Sequence, residues 1–204
     1  MAGMELAFAQ QAPARATAEQ VIGPFYPVRL PADQDADLTV IAGKDGKDAR
    51  ALGTIVYLSG RVTSLRGEPV PNAEIELWQA NAAGRYTHAA DVNPQPLDPH
   101  FDGYARIRTD AEGRYRFKTI KPGAYPATPT WMRPPHIHFD VRGQQSRLVT
   151  QMYFEGEELN AKDRFFDRLS PTGKEGLLAR YNASPAQQEP GALVAVWNIV
   201  LMAG

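Results

Sequence analysis

Four histidines occur in the chain, at positions 88, 100, 136 and 138, and two of them share the run Pro134-Pro135-His136-Ile137-His138-Phe139-Asp140-Val141. Residues two apart on a strand point to one face. His136 and His138 therefore project side by side while Ile137 and Phe139 enter the other layer. Two neutral imidazoles so placed suit a single metal ion. The tandem proline ahead of them stiffens the approach to the strand and offers no backbone donor. A His-x-His pair alone is a weak signal, more often an ordinary pair of histidines than a ligand set, so the chain must supply further ligands. It has no cysteine, which removes thiolate sites, iron–sulfur clusters, disulfides and a Cys nucleophile. No Asp-x-Asp or Glu-x-x-His pattern lies near the pair, but tyrosines do, at 86, 104, 115, 125 and 153. A phenolate is a hard anionic oxygen donor suited to iron(III), and the cation's charge lowers the phenol pKa far below its free value of about 10. Spacing alone does not choose among the five, and the ordinary role of a buried tyrosine is a core residue with a hydrogen-bonded hydroxyl.

Other chemistries find less support. No Gly-x-Ser-x-Gly elbow and no glycine-rich phosphate loop is present. Spacing neither identifies nor excludes a carboxylate pair for sugar hydrolysis. His100 follows Asp98-Pro99 in a loop and is expected to be exposed. His88, two residues after Tyr86, either lines a cleft or faces solvent.

The elements that position these residues read mainly as strands. Seventeen prolines and seventeen glycines in 204 residues argue for short strands and turns over long helices. Residues 1–50 form an extended N-terminal arm that wraps the body or a neighbouring subunit, with one capped helical turn at Thr17-Ala18-Glu19-Gln20 and a disordered tail at its start. Residues 51–204 form the catalytic domain. Within it, Ile55-Val56-Tyr57-Leu58 runs into Gly60-Arg61-Val62-Thr63. Ala73 to Trp78 alternates, with Ile75 and Leu77 on one face and Glu74, Glu76 and Trp78 on the other. Tyr104–Thr109 and Arg114–Lys118 read as a hairpin closed by Asp110-Ala111-Glu112-Gly113. Asn160 is placed to cap a helix to Leu169, Pro171 to start another reaching Tyr181, and Ala192 to Met202 to make a closing buried strand. This spacing, without a βαβ rhythm, predicts an antiparallel β-sandwich with a few short helices.

Composition bounds the function classes. A hydrophobic share of 43% and a charged share of 22% are ordinary for a globular domain, and a net charge of −1 leaves no field to recruit nucleic acid or an anionic membrane. No run of 18 apolar residues is present, and the first residues lack a basic start and a long apolar stretch, so the expectation is a cytoplasmic protein with no membrane partner.

Four segments together resemble the intradiol ring-cleavage dioxygenases, and most of all their protocatechuate type: Leu77-Trp78-Gln79-Ala80-Asn81-Ala82-Ala83-Gly84-Arg85-Tyr86, Thr119-Ile120-Lys121-Pro122-Gly123-Ala124-Tyr125-Pro126, Arg133-Pro134-Pro135-His136-Ile137-His138-Phe139, and Thr150-Gln151-Met152-Tyr153-Phe154-Glu155-Gly156. Gly23-Pro24-Phe25-Tyr26 and Trp197-Asn198-Ile199-Val200-Leu201 extend the likeness towards both ends. Any one segment is unspecific; four in the family's order are not. The resemblance implies a prealbumin-like sandwich and non-haem iron(III) held by Tyr86, Tyr125, His136 and His138. It also implies a role for Arg133 in stabilising charge that develops on the substrate ring, with Gln151 as its partner. Tyr125 is implied as a proton acceptor as well as a ligand. The reaction implied is cleavage of a catechol-type diol by O2 to a cis,cis-muconate, with no organic cofactor.

The departures are small. Ala124 stands where the family often has a further proline, and the stretch from His138 to Gln151 is slightly shorter. The extended arm cannot build the helical dimerisation domain usual in catechol dioxygenases, which favours the protocatechuate type and hence a homo-oligomer or a hetero-oligomer with a related, metal-free subunit. Protocatechuate or another substituted catechol is the expected substrate, and Arg85 is the candidate for a cationic wall facing a carboxylate. The competing reading is a non-enzymatic prealbumin-like binding module, suggested by the turns between Gly60 and Phe117. Such a module does not need the two tyrosines and two histidines together.

Overall fold

The computed structural model describes residues 15–41, 49–183 and 189–204. The reading of the first ten residues as a tail lies outside them. Eleven strands and two short helices follow in order: β1 (Ile55–Ser64), β2 (Glu74–Trp78), β3 (Tyr104–Arg108), β4 (Arg114–Ile120), β5 (Tyr125–Thr128), β6 (Trp131–Arg133), β7 (His136–Arg142), β8 (Arg147–Phe154), α1 (Arg164–Asp167), α2 (Pro171–Leu177), β9 (Leu178–Ala183), β10 (Leu193–Val196) and β11 (Ile199–Leu201). A 3-10 turn over Glu158–Lys162 precedes α1.

The mainly β expectation holds, but the sheet is not purely antiparallel. Nine strands form one sheet: eight follow the hydrogen-bonded path β11-β1-β10-β9-β8-β7-β2-β3, and β4 pairs with β1 off that path. Three pairs in it are parallel: β1 with β10, β1 with β11 and β8 with β9. Parallel neighbours need a long crossover, and the helical stretch between Phe154 and Leu178 is the one that joins β8 to β9. A small two-stranded ribbon, β5-β6, stands apart.

Local readings changed where distant partners competed. The Asp110–Gly113 turn forms, with Gly113 N donating to Asp110 O and the Asp110 carboxylate accepting from Glu112 and Arg114. Its two arms then part: β3 pairs with β2, and β4 pairs with β1 over seven residues, so they are not a hairpin. A turn fixes a reversal of direction, whereas burial of Tyr115 and Phe117 beneath β1 fixes the partner. Asp163, not Asn160, caps α1, accepting from Phe165 N and Phe166 N at 2.9 Å. Ser170 caps α2, which stops at Leu177; residues to Tyr181 belong instead to β9. The Ala192–Met202 run is two strands, broken where Trp197 N donates to Ser59 O.

Strand β7 is buried on both faces from His136 to Val141. Ile137, Phe139 and Val141 enter the main core, where Phe139 meets Trp197, with ring centroids 4.9 Å apart, and Phe117 at 6.3 Å. The other face carries His136, His138 and Asp140, and a second layer covers it. Part of that layer is the arm. Thr17 is not in a helical turn but extended: its N donates to Val200 O and its Oγ1 accepts from Val200 N. Gln20 N then bonds Val149 O, Thr150 Oγ1 bonds Ala18 O and Gln151 Nε2 bonds Val21 O. Gly23 turns the chain at φ +75°, and an added Cβ there would lie 3.1 Å from His138 Cε1, so the backbone passes directly over the imidazole. Among the described residues no helix is long and apolar enough to cross a membrane.

Candidate metal centre

Tyr86 sits in the loop after β2. Asn81 organises that loop: its Oδ1 accepts from Ala83 N and Arg85 N, and its carbonyl accepts from Gly84 N and Gly123 N. Gly84, at φ +80°, lies so close to the Ala124 carbonyl that a Cβ would fall 2.2 Å from that oxygen. Only glycine permits the approach, and it brings the Tyr86 loop against Tyr125. The Asp91 carboxylate then accepts from Tyr86 N at 2.7 Å. Tyr125 opens β5, and in the β5-β6 ribbon its register partner is Arg133. Pro134 and Pro135 follow, and β7 begins at His136.

These segments converge on one buried place. Ring centroids lie 5.6 Å apart for Tyr86 and Tyr125, 5.6 Å for Tyr125 and His136, 4.9 Å for His136 and His138, and 6.2 Å for His138 and Tyr86. Trp78 stacks on His138 at 4.9 Å, and Phe25 of the arm lies 4.7 Å from Tyr86. The remaining three have other surroundings, although the Tyr153 ring also lies 5.8 Å from His136 and the Tyr104 hydroxyl is buried without a hydrogen-bond partner. Tyr115 donates to Trp197 O, Tyr153 lies within hydrogen-bonding reach of Arg133, Gln151 and Asp163, and Tyr104 packs near Tyr26 and Glu76.

The electrostatics suit a cation. Burial pushes the Tyr86 phenol well above 10.0 and raises Tyr125 as well, so both are neutral until a positive charge arrives. Burial, and then the charge of Arg133, hold both imidazoles well below 6.5, so both are neutral. His136 Nδ1 lies 2.7 Å from Pro134 O, which can only accept, so the proton sits on Nδ1 and the Nε2 lone pair is free to accept. Arg133 Nη1 donates to that lone pair at 2.9 Å. The Tyr86 hydroxyl and His138 Nδ1 are buried without a hydrogen-bond partner, an arrangement that asks for a further ligand. Among the described residues no three His, Cys, Asp or Glu side chains group together, so a metal here must use the phenols. Two hard oxygens and two imidazole nitrogens fit iron(III).

Arg133 is buried beside this centre. Besides His136, its guanidinium donates to Asp163 Oδ2 (2.8 Å), Gln151 Oε1 (2.7 Å), Tyr153 Oη (3.0 Å) and Tyr125 Oη (3.5 Å). A cavity of about 680 Å³ opens over Tyr125 and Arg133, walled by Phe25, Val92, Trp131 and Phe165 among others. Arg85 is not on that wall; its Nη1 donates to Gln95 O at 2.6 Å. His88 packs near Phe25, at 5.8 Å between rings, and His100 is half-buried, not exposed. Sequence reasoning missed Asp163, because an N-capping aspartate has the same local pattern whether or not its second oxygen meets a distant cation. It also missed Phe165 and Trp131 as wall residues.

Comparison with known proteins identifies the family. Residues 21–203 match the family described as "Dioxygenase". The chain is 48% identical over 171 residues to the protocatechuate 3,4-dioxygenase beta chain of Burkholderia cepacia, covering 82% of this chain and 71% of that one. It is 30% identical over 177 residues to catechol 1,2-dioxygenase of Acinetobacter baylyi, covering 80% of this chain and 52% of the relative. The structure of a hydroxyquinol 1,2-dioxygenase from Pseudomonas putida superposes with a TM-score of 0.71 at 21% identity, covering 95% of this chain and 69% of that one, which speaks for the fold.

Proposed function

The chain belongs to the intradiol ring-cleavage dioxygenases, and from that premise we propose that it opens protocatechuate or another substituted catechol at an iron(III) centre held by Tyr86, Tyr125, His136 and His138. The reaction breaks the bond between the two hydroxyl-bearing carbons and places one atom of O2 on each. Diol and O2 thus balance to a cis,cis-muconate with no other reductant. The observation that carries the ligand set is the convergence of two buried phenols and two neutral imidazoles, with the Tyr86 hydroxyl lacking any other partner.

Iron(III), when bound, supplies a hard Lewis acid that stabilises phenolates and polarises the oxygens of a diol. The protein's own groups do the rest. The Pro134 carbonyl holds His136 in the tautomer that presents Nε2. Tyr125, which faces the cavity, is placed to take a proton from an incoming diol. Arg133 is a buried cation beside it, 3.5 Å from the Tyr125 hydroxyl, able to stabilise negative charge that builds on the ring. Phe25, Trp131 and Phe165 supply apolar walls that suit an aromatic ring and keep water away. The relative of 48% identity is called a beta chain, which supports assembly with a second copy or a related subunit. We place the protein in the cytoplasm, and take residues 51–204 as the catalytic domain with the arm as part of its wall.

The test is a visible absorption spectrum of the purified protein with its iron quantified, followed by a panel of catechols under O2. A tyrosinate-to-iron(III) charge-transfer band that shifts on diol binding is expected, with turnover ranking the substrates. A protein that stays colourless and inert after loading with ferric iron refutes the reading.

A further inference from the structure

The guanidinium of Arg133 has one anionic partner within hydrogen-bonding distance. Its Nη1 and Nη2 groups face His136, Tyr125, Gln151 and Tyr153, all uncharged in this structure. Its Nε–H donates to Asp163 Oδ2 at 2.8 Å, and the Asp163 side chain is fully buried. The second carboxylate oxygen has a separate task. Oδ1 accepts from Phe165 N and Phe166 N at 2.9 Å and so caps α1, with a longer contact of 3.4 Å from Tyr153 Oη. Phe165 returns to the same place: its ring lies 4.9 Å from the Arg133 guanidinium carbon and 5.3 Å from Trp131, and both rings line the cavity with Arg133.

A helix cap needs one oxygen. Capping does not explain why the other oxygen is spent, fully buried, on the Nε of an arginine thirty residues earlier. We propose that Asp163 is the positioning residue of the centre: Oδ2 fixes the plane and aim of the Arg133 guanidinium, and Oδ1 fixes the Phe165 wall against which the ring sits. The two tasks are chemically separable. Asparagine keeps an oxygen for the cap but turns an amide donor towards the Nε–H of Arg133, so Asp163→Asn removes the aim and spares the wall. This inference rests on the function proposed above for its catalytic arm and stands apart from it for its structural arm.

The structural arm uses the iron-free full chain and the 15Nε–1Hε NMR signal of Arg133, assigned by its absence in Arg133→Lys. In the wild type this proton is expected to exchange slowly; in Asp163→Asn the signal is expected to shift and exchange faster. An unchanged signal overturns the proposal whatever the enzyme does. The catalytic arm uses the iron-loaded protein in a double-mutant cycle of Asp163→Asn with Arg133→Lys. Asp163→Asn is expected to lower kcat about 10²-fold, through misplacement of one group, with KM changed less than about threefold. In the Arg133→Lys background the same change is expected to cost almost nothing. Losses that multiply, or a wild-type kcat in Asp163→Asn, overturn the positioning role. Should Asp163→Asn fail to fold, Asp163→Glu keeps the charge and moves the oxygen by one methylene; a shifted Arg133 signal with kcat lowered about tenfold supports the proposal, and a folded variant with wild-type signal and kcat overturns it. If the wild type itself turns over no catechol, the proposed function falls while the NMR arm still decides whether Asp163 aims Arg133.

Discussion

The two faces of β7 are equally buried and chemically opposite. On one, Ile137, Phe139 and Val141 pack into a core of aliphatic and aromatic side chains. On the other, His136, His138 and Asp140 lie under the arm and the Tyr86 and Tyr125 loops. The inner face needs only shape, because nothing on it requires a partner. The outer face must satisfy each polar atom, and it does so unevenly. Asp140 takes hydrogen bonds from Arg142 and Arg147, and its neighbour across the strands, Glu76, takes one from Tyr26 at 2.6 Å. His138 Nδ1 and the Tyr86 hydroxyl take none. Burial alone therefore does not separate the two faces; the demand for polar partners does.

Mutations that touch one face at a time sharpen this contrast. The largest effect is expected from His138→Ala: loss of the charge-transfer band and at least about 10³-fold lower turnover, with the folded state retained. A variant that keeps its iron stoichiometry and colour breaks the assignment of the outer face to metal binding. Phe139→Ala, one residue away on the inner face, should do the reverse. Chemical denaturation should show about 3–5 kcal/mol of lost stability, while iron bound per folded molecule stays as in the wild type.

Tyr26→Phe probes the cover over the outer face. The Tyr26 phenol is pushed up to about 12, first by burial and then by its hydrogen bond to Glu76, so it is a neutral donor across the working pH range. Its loss should cost about 1.5–3 kcal/mol, and amide exchange should rise first between residues 20 and 30. Uniform exchange across the chain would mean that the arm is not separately latched. The smallest effect is a pH dependence that only the outer face carries. Burial alone would raise the Asp140 carboxyl, but hydrogen bonds and charge from Arg147 and Arg142 outweigh it and hold the pKa below 3.8. Because the folded value is the lower one, the unfolded chain binds the proton more readily. The stabilisation is complete above the unfolded value of about 3.9 and is lost as pH falls through the folded value. Asp140→Asn should flatten the acid limb of the stability curve, whereas Val141→Ala should lower it without changing its shape.

Much of this contrast was legible in the residues themselves. Alternation put His136 and His138 opposite Ile137 and Phe139, and Trp78 opposite Ile75 and Leu77, because a strand has a period of two regardless of what surrounds it. Proline, glycine and aspartate marked turns that do form, such as Asp110–Gly113. Helix ends were misread at Asn160 and Tyr181, where a better cap at Asp163 and a strand partner for Leu178–Ala183 prevailed. The candidate ligands were named from their types and from a family likeness, not from spacing, since five tyrosines were available.

The sequence by itself determined that two histidines share one strand face, that oxygen and nitrogen side chains are available and thiols are not, and that the chain is too rich in turns for a helical fold. The family likeness named Tyr86 and Tyr125, but only the tertiary structure decided how they reach the histidines, that β3 and β4 part company, that the sheet mixes parallel with antiparallel pairs, and that Asp163 lies against Arg133. The physical reason is reach. Periodicity and turn chemistry act over a few residues and are written locally. Strand pairing, the close contact of Gly84 with Ala124 and the burial of a charge beside its counterion join segments far apart in the chain, and are settled only when the layers pack.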